Sequence, residues 1–247
     1  MREPAACAVD QHRTKEARRS TGPTLALLVL AKAPEAGRVK TRLCPPLTFA
    51  EAADLAAAAL LDTLDAACAV PGGRVLVALA GRWSAAVRAA ELAAALSDTT
   101  TCVQRGPDLG HRIAAAHCAA ASRLPGRPVL QIGMDTPQVE PALLAEAAEP
   151  LHRVDGGWWA LGLRDPRAAS AVAHVPTSRD DTGERTGRAL RTAGLRVSLL
   201  PELTDVDTAT DATAVARIAP WTRFAGAVAG LSALSAEPPM PVGMRPC

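Results

Sequence analysis

The chain has 247 residues and sets 27 basic against 25 acidic side chains, a net charge of +2. That length can bury a sizeable core in one domain, and the balanced charge gives no reason to expect nucleic-acid binding, which usually needs a concentrated basic face. Aromatic residues make up only 2% of the chain, so the core must be built from Leu, Val, Ile and Ala. The longest clean apolar run, residues 25–31, is far too short to span a membrane. Residues 1–20 are polar and basic, without the apolar stretch of a signal peptide, and a cytoplasmic location is expected. The six cysteines, at 7, 44, 68, 102, 118 and 247, form no Cys-x-x-Cys pair and are read as reduced thiols packing as small apolar groups.

Residues 1–23 read as a disordered basic tail closed by Ser20-Thr21-Gly22-Pro23. Residues 24–31 form a strand that is apolar on both faces, the mark of a parallel sheet. A polar loop, residues 32–43, follows with Lys32, Arg38, Lys40 and Arg42, and Gly37 permits a tight turn. Thr48 and Glu51 make a capping-box pattern that opens a helix reaching about Ala67. On that helix Glu51, Asp54, Asp62 and Asp65 recur at helical spacing and mark the expected wet face. Further strands are expected over residues 74–80, 101–104, 128–132, 157–163 and 195–200. Helices are expected over 85–96, 108–123, 141–149, 182–193 and 210–218. Strands alternating with helices imply βαβ units, hence a three-layer αβα sandwich around a mainly parallel sheet. The domain would occupy residues 24–220, leaving a Pro-rich tail over 221–247 packed locally through Trp221 and Phe224.

Five stretches carry candidate chemistry. Asp135 stands where the strand 128–132 gives way to a turn, at the carboxyl edge where α/β sheets bind ligands. A carboxylate there can hold a hard divalent cation that also touches phosphates, or can serve only the turn before Pro137. The loop after the first strand gathers four cations and suits phosphates, although Gly37-Arg38-Val39-Lys40-Thr41 lacks the first glycine of a Walker loop. Around Gln104-Arg105-Gly106-Pro107-Asp108-Leu109-Gly110-His111-Arg112, two glycines leave bare backbone for a flat ligand, and Asp108 is read as a helix cap. His111 and His117 are read as surface or structural residues. Asp155-Gly156-Gly157-Trp158-Trp159 offers an acid, open backbone and an aromatic face, or simply a turn feeding a strand. Finally, Asp205 or Asp207 can join Asp135 around a metal, with Thr210 or Asp211 capping the next helix.

Taken together, Ala-Lys-Ala-Pro-x-x-Gly-x-Val-Lys-Thr-Arg-Leu at 31–43, Gln-x-Gly-x-Asp-Leu-Gly-x-Arg at 104–112, Ile-Gly-x-Asp-x-Pro at 132–137, Asp-Gly-Gly at 155–157 and Asp-Val-Asp-Thr at 205–208 resemble the DUF2064 family over roughly residues 24–218. That family is similar to GT-A-fold nucleotide-diphospho-sugar transferases and to small nucleotidyltransferases. The resemblance implies a GT-A fold and a Mg²⁺- or Mn²⁺-dependent transferase. Its donor would be a nucleotide or nucleotide sugar, and its acceptor a small molecule. It makes Lys32, Gly37, Lys40, Arg42, Gln104, Gly106 and Arg112 nucleotide-binding residues. It makes Asp135 and Asp207 metal ligands, Asp155 and Lys40 catalytic, and Gly156, Gly157 and Trp158 the acceptor wall. Two reactions fit: glycosyl transfer releasing a nucleoside diphosphate, and nucleotidyl transfer releasing pyrophosphate. A non-catalytic nucleotide-binding module is the third reading. Its motivation is that Trp158-Trp159 and His111 replace residues usual in the family.

Overall fold

The computed structural model describes residues 25–148, 155–156, 159–177, 179 and 181–235. The expected tail over 1–23 lies outside them. Strands β1 (Ala26–Lys32), β2 (Arg74–Ala80), β3 (Thr100–Val103) and β4 (Val129–Ile132) alternate with helices α1 (Phe49–Cys68), α2 (Ala89–Ser97) and α3 (Leu109–Arg123). Then come α4 (Pro141–Ala148), the short strands β5 (Asp155–Gly156) and β6 (Ala160–Leu163), a 3-10 helix over Pro166–Val172, and helices α5 (Thr182–Thr192), α6 (Ala209–Ile218), α7 (Arg223–Ala229) and α8 (Ser232–Ser235). The sheet order is β3-β2-β1-β4-β6-β5. β1 pairs in parallel with β2 and β4, and β2 with β3, whereas β6 runs antiparallel to β4 and to β5.

Alternation along β1 divides the core. Leu25, Leu27, Val29 and Ala31 face α1, α2 and α4, packing with Leu60, Leu64, Leu92 and Leu144. Ala26 and Leu28 face α3, packing with Ala116 and Ala120. A third cluster joins Ile113 of α3 to Leu161 and Leu163 of β6, Val172 and Leu190 of α5. Both faces of the parallel strands are therefore covered, which is why those strands read as continuous apolar runs.

Helix α1 is buried nearly all round, because α6 and α7 cover the side turned away from the sheet through Leu55, Val215, Phe224 and Val228. Fully burying Leu55, Leu60 and Leu64 contributes about 1.5–3 kcal/mol each. The expected capping box is present: Thr48 accepts from the Glu51 N–H and the Glu51 carboxylate accepts from the Thr48 N–H. The expected wet face holds only in part: Asp65 is exposed and Glu51 and Asp54 are half-buried, but Asp62 is buried. Asp54 takes a bidentate pair from Arg88 at 2.7 Å. Buried Asp62 accepts from the N–H groups of Arg223 at 3.0 Å and Phe224 at 2.8 Å, while Asp65 pairs with the Arg223 guanidinium. Burial holds the Asp62 carboxyl above its ordinary value despite those donors. Asp62 and Asp65 thus anchor a later helix, a partner invisible to local periodicity.

Two other expectations change. Residues 195–200 form no strand: Leu195 and Val197 pack toward α5, so their alternation serves a helix face rather than a ladder. The segment from 221 begins with α7, whose Phe224 is 1% exposed while Trp221 is 65% exposed. The four described cysteines are free thiols. Cys102 is buried in β3, but Cys68 and Cys118 are exposed rather than packed.

Candidate active site

In the order β2-β1-β4-β6 the chain leaves β1 toward β2 and leaves β4 toward β6. The crevice between the carboxyl ends of β1 and β4 is thus the topological switch point, where open α/β sheets bind ligands. Register makes this concrete. Val29 pairs with Ile132, so Lys32 and Asp135 each lie three residues past the same rung on neighbouring strands. A cleft of about 480 Å³ opens there, lined by Lys32, Arg38, Lys40, Arg42, Asp135 and Asp207 among others.

Lys40 is its centre. Its backbone is left-handed, φ 46°, an uncommon state for a residue with a side chain and one that clusters at functional sites. That conformation ends the loop and opens a 3-10 turn over Thr41–Leu43. The Lys40 ammonium donates to Asp135 Oδ2 at 2.8 Å and to Asp207 Oδ1 at 3.2 Å, so those two oxygens lie no farther apart than about 6 Å, the sum of the two distances. Arg42 donates to the other Asp207 oxygen at 3.0 Å. Burial is the strongest single influence on Lys40 and acts to lower its pKa, but the charges and hydrogen bonds of Asp135 and Asp207 outweigh it and the net shift is upward. Lys40 is a permanent cation and cannot act as a base at neutral pH.

Three ties bring Asp207 to Asp135 across the fold. The Val206 N–H donates to the Asp135 carbonyl at 3.2 Å, the Gln138 amide donates to the Thr204 carbonyl at 2.7 Å, and Val206 is buried against α1 and α7. The helix cap here is Thr208, whose box is completed by Asp211, rather than Thr210. Asp211 is thereby committed to the helix end, leaving Asp207 for the cleft. Burial first, then the nearby Asp135 charge, raise Asp205 to about 6 against the lowering influence of Lys40.

Sequence reasoning missed what Gly133 does. A Cβ built there would stand 2.6 Å from Asp135 Oδ1. Its hydrogen is what lets the carboxylate fold back over the strand end toward Lys40. Met134 was also missed: it lines the cleft, and its sulfur accepts from the Lys32 N–H at 3.1 Å. An aliphatic thioether in a polar loop carries no sequence signal of either role.

The remaining predicted residues sit as follows. Lys32 lines the cleft and donates to the Arg38 carbonyl at 2.7 Å. Gly37, at φ +72°, makes the expected tight turn. Gln104 spends its amide on the Ala31 and Ala78 carbonyls, at 3.0 and 2.9 Å, bracing the strand ends. Arg112 donates to the Gly106 carbonyl at 3.2 Å. None of these last three lines the Lys40 cleft. Gly110 is buried, and a Cβ there would meet the Ala173 carbonyl at 2.6 Å, so its backbone is not open to a flat ligand; Gly106 is exposed, although a Cβ there would meet His111 at 2.7 Å. Asp108 caps α3 as expected and also contacts the His111 ring. His117 is buried and structural, bonded to Gln131 at 3.2 Å, with burial pushing its pKa down to about 4. Asp155 and Gly156 form β5 at the sheet edge. Gly157 and Trp158 lie outside the described residues.

A mostly parallel sheet covered on both faces, with a cationic cleft at its switch point, defines an α/β protein of the nucleotide-diphospho-sugar transferase fold. The crystal structure of a "putative nucleotide-diphospho-sugar transferase" from Desulfovibrio desulfuricans G20 superposes with a TM-score of 0.74, at 24% identity, covering 86% of this chain and 96% of that one. The family described as "Uncharacterized protein conserved in bacteria (DUF2064)" matches residues 63–179, so the resemblance read from the motifs is borne out as DUF2064. That span includes the motifs at 104–112, 132–137 and 155–157, while those at 31–43 and 205–208 lie outside it. Looser overlaps include Rv0371c from Mycobacterium tuberculosis H37Rv, at 22% identity, 79% and 98% coverage and a TM-score of 0.47. Another is a nucleotidyl transferase from Methanothermobacter thermautotroptrophicus, at 16% identity, 77% and 94% coverage and a TM-score of 0.47. No curated protein matches the chain. Among the described residues no helix is long and apolar enough to cross a membrane.

Proposed function

We propose that this chain is a transferase that takes an activated nucleotide, in the first instance a nucleotide sugar, and passes its sugar to a small-molecule acceptor. The observation that carries this reading is the Lys40 ammonium chelated by Asp135 and Asp207 at the switch point, with Lys32, Arg38 and Arg42 around it. A diphosphate needs cations that stay charged while it departs, and Lys40 is held charged by its surroundings.

A divalent ion fits the same residues. The two carboxylates converge on one cation, the Lys40 ammonium, which an ion bound between them would displace to the side, and their donors are oxygen only, as Mg²⁺ and Mn²⁺ prefer. Among the described residues no three acids, histidines or cysteines converge on one point. Asp135 and Asp207 would therefore hold the ion with phosphate oxygens and water completing its shell, the usual arrangement for Mg²⁺ at phosphates. Bound there, it would supply positive charge to the diphosphate. In the transfer, the acceptor hydroxyl oxygen bonds to the anomeric carbon as the bond from that carbon to the diphosphate oxygen breaks. The nucleoside diphosphate departs and the hydroxyl proton passes to a carboxylate or water. Arg42 and Lys32 orient the departing phosphates, and Lys40 remains the fixed charge beside them.

The test is to incubate the protein with Mg²⁺ and a panel of nucleoside triphosphates and sugar nucleotides. Free nucleoside diphosphate from a sugar nucleotide supports this reading. Pyrophosphate release from a triphosphate replaces it with nucleotidyl transfer. Nucleotide-dependent stabilisation without turnover of any donor leaves only a binding module.

A further inference from the structure

A second cleft, of about 320 Å³, lies between α5 and the segment 199–203. Its size falls at the lower end of small-molecule sites. Trp159 forms one wall, and its indole N–H donates to the Pro201 carbonyl, which fixes the facing segment in place. Leu190, Leu199 and Leu203 make the cleft largely apolar. Thr186 also lines it. That residue is only 5% exposed, and its hydroxyl finds no hydrogen-bond partner among the described residues.

The cleft ends at Asp205, which belongs to the same three-residue stretch that the Val206 N–H ties to Asp135. No described residue hydrogen-bonds the Asp205 carboxyl group, so it is available to accept from an occupant. The charged groups lining this cleft are Glu202 and Asp205, both acidic, whereas the neighbouring one sets four cations, Lys32, Arg38, Lys40 and Arg42, against two acids, Asp135 and Asp207. Charge thus divides the two clefts. The first suits phosphates, and the second repels anions and suits an apolar body.

Resting on the transferase reading above, we propose that the cleft beside Trp159 binds the acceptor, an uncharged alcohol with a compact apolar body whose hydroxyl hydrogen-bonds to Asp205. The nucleotide and its acceptor then meet across the Asp205–Asp207 stretch, each on the side whose charge it tolerates.

The probes are cyclohexylmethanol and its anionic counterpart cyclohexanecarboxylate, added to the full chain at neutral pH. The readout is the NMR resonance of the Trp159 indole N–H. The alcohol is expected to move that resonance saturably, and the carboxylate at the same concentration to leave it in place. Gly187→Leu fills the cleft from α5. A Cβ there meets only the flexible end of Arg191, at 3.2 Å, and leucine favours a helix over glycine, so the variant folds. It should weaken the alcohol at least tenfold. Glu202→Lys, at an exposed position, should admit the carboxylate. An alcohol that leaves the Trp159 resonance unmoved overturns the proposal. So does equal binding of the carboxylate by wild type, or undiminished alcohol binding by Gly187→Leu. Failure to bind any nucleotide is a separate result: it removes the transferase reading, while the alcohol readout is scored on its own.

Discussion

Gly133→Ala isolates the placement of Asp135. The glycine needs no left-handed backbone, so alanine brings no conformational strain of its own. Its one obstruction is Asp135 Oδ1, 2.6 Å from the added Cβ, against about 3.4 Å for ordinary contact. The Asp135 carboxylate must swing away, and Lys40, whose side chain is 12% exposed, then loses its 2.8 Å partner. A hydrogen bond to a charged group contributes about 1.5–3 kcal/mol. Against that, alanine reduces the freedom of the unfolded chain and stabilises by about 0.4–1 kcal/mol. The loss exceeds the gain, so the variant should be about 1–2 kcal/mol less stable by urea denaturation. The proposed function predicts that Mg²⁺ with a nucleoside diphosphate stabilises wild type, and the variant should lose that gain. A variant more stable than wild type, with the nucleotide effect intact, refutes the claim that this hydrogen positions the carboxylate.

Three further outcomes are expected. Gly226→Ala, at an exposed position of α7 with nothing within 4 Å of the new Cβ, should stabilise the protein by about 1 kcal/mol in the same denaturation assay; a loss would mean α7 is not helical there. Asp62→Ala strips the acceptor from the Arg223 and Phe224 N–H groups, and should cost about 2 kcal/mol; a loss within error of zero would show that α7 does not dock on α1 through this carboxylate. His117 has a folded pKa of about 4 against 6.5 for the free side chain, so the unfolded chain binds the proton first as pH falls. Its stabilising share is complete above pH 6.5 and is lost as pH drops toward 4, about 3 kcal/mol in all, so His117→Met should flatten the stability curve over that window; an unchanged curve would show that the ring is not held neutral.

What the sequence determined by itself is local. The capping box Thr48–Glu51, the Asp108 cap of α3, the tight turn at Gly37 and the strands β1, β2 and β4 all follow from residues within a few positions of one another. The motifs also placed Lys32 and Asp135 at strand ends, and a parallel sheet puts its strand ends on one edge. Tertiary structure alone decided the rest. Nothing local reveals that β6 turns antiparallel, that the alternation of 195–200 serves a helix face, or that the acids of α1 hold Arg223 and the start of α7. Nor does anything local reveal that Asp135 pairs with the chain's own Lys40, 95 residues away, shared with Asp207 at a separation of 167. Propensity and periodicity act over one or two turns of chain, whereas a buried charge chooses its partner only after the sheet and its covering helices have excluded water around it.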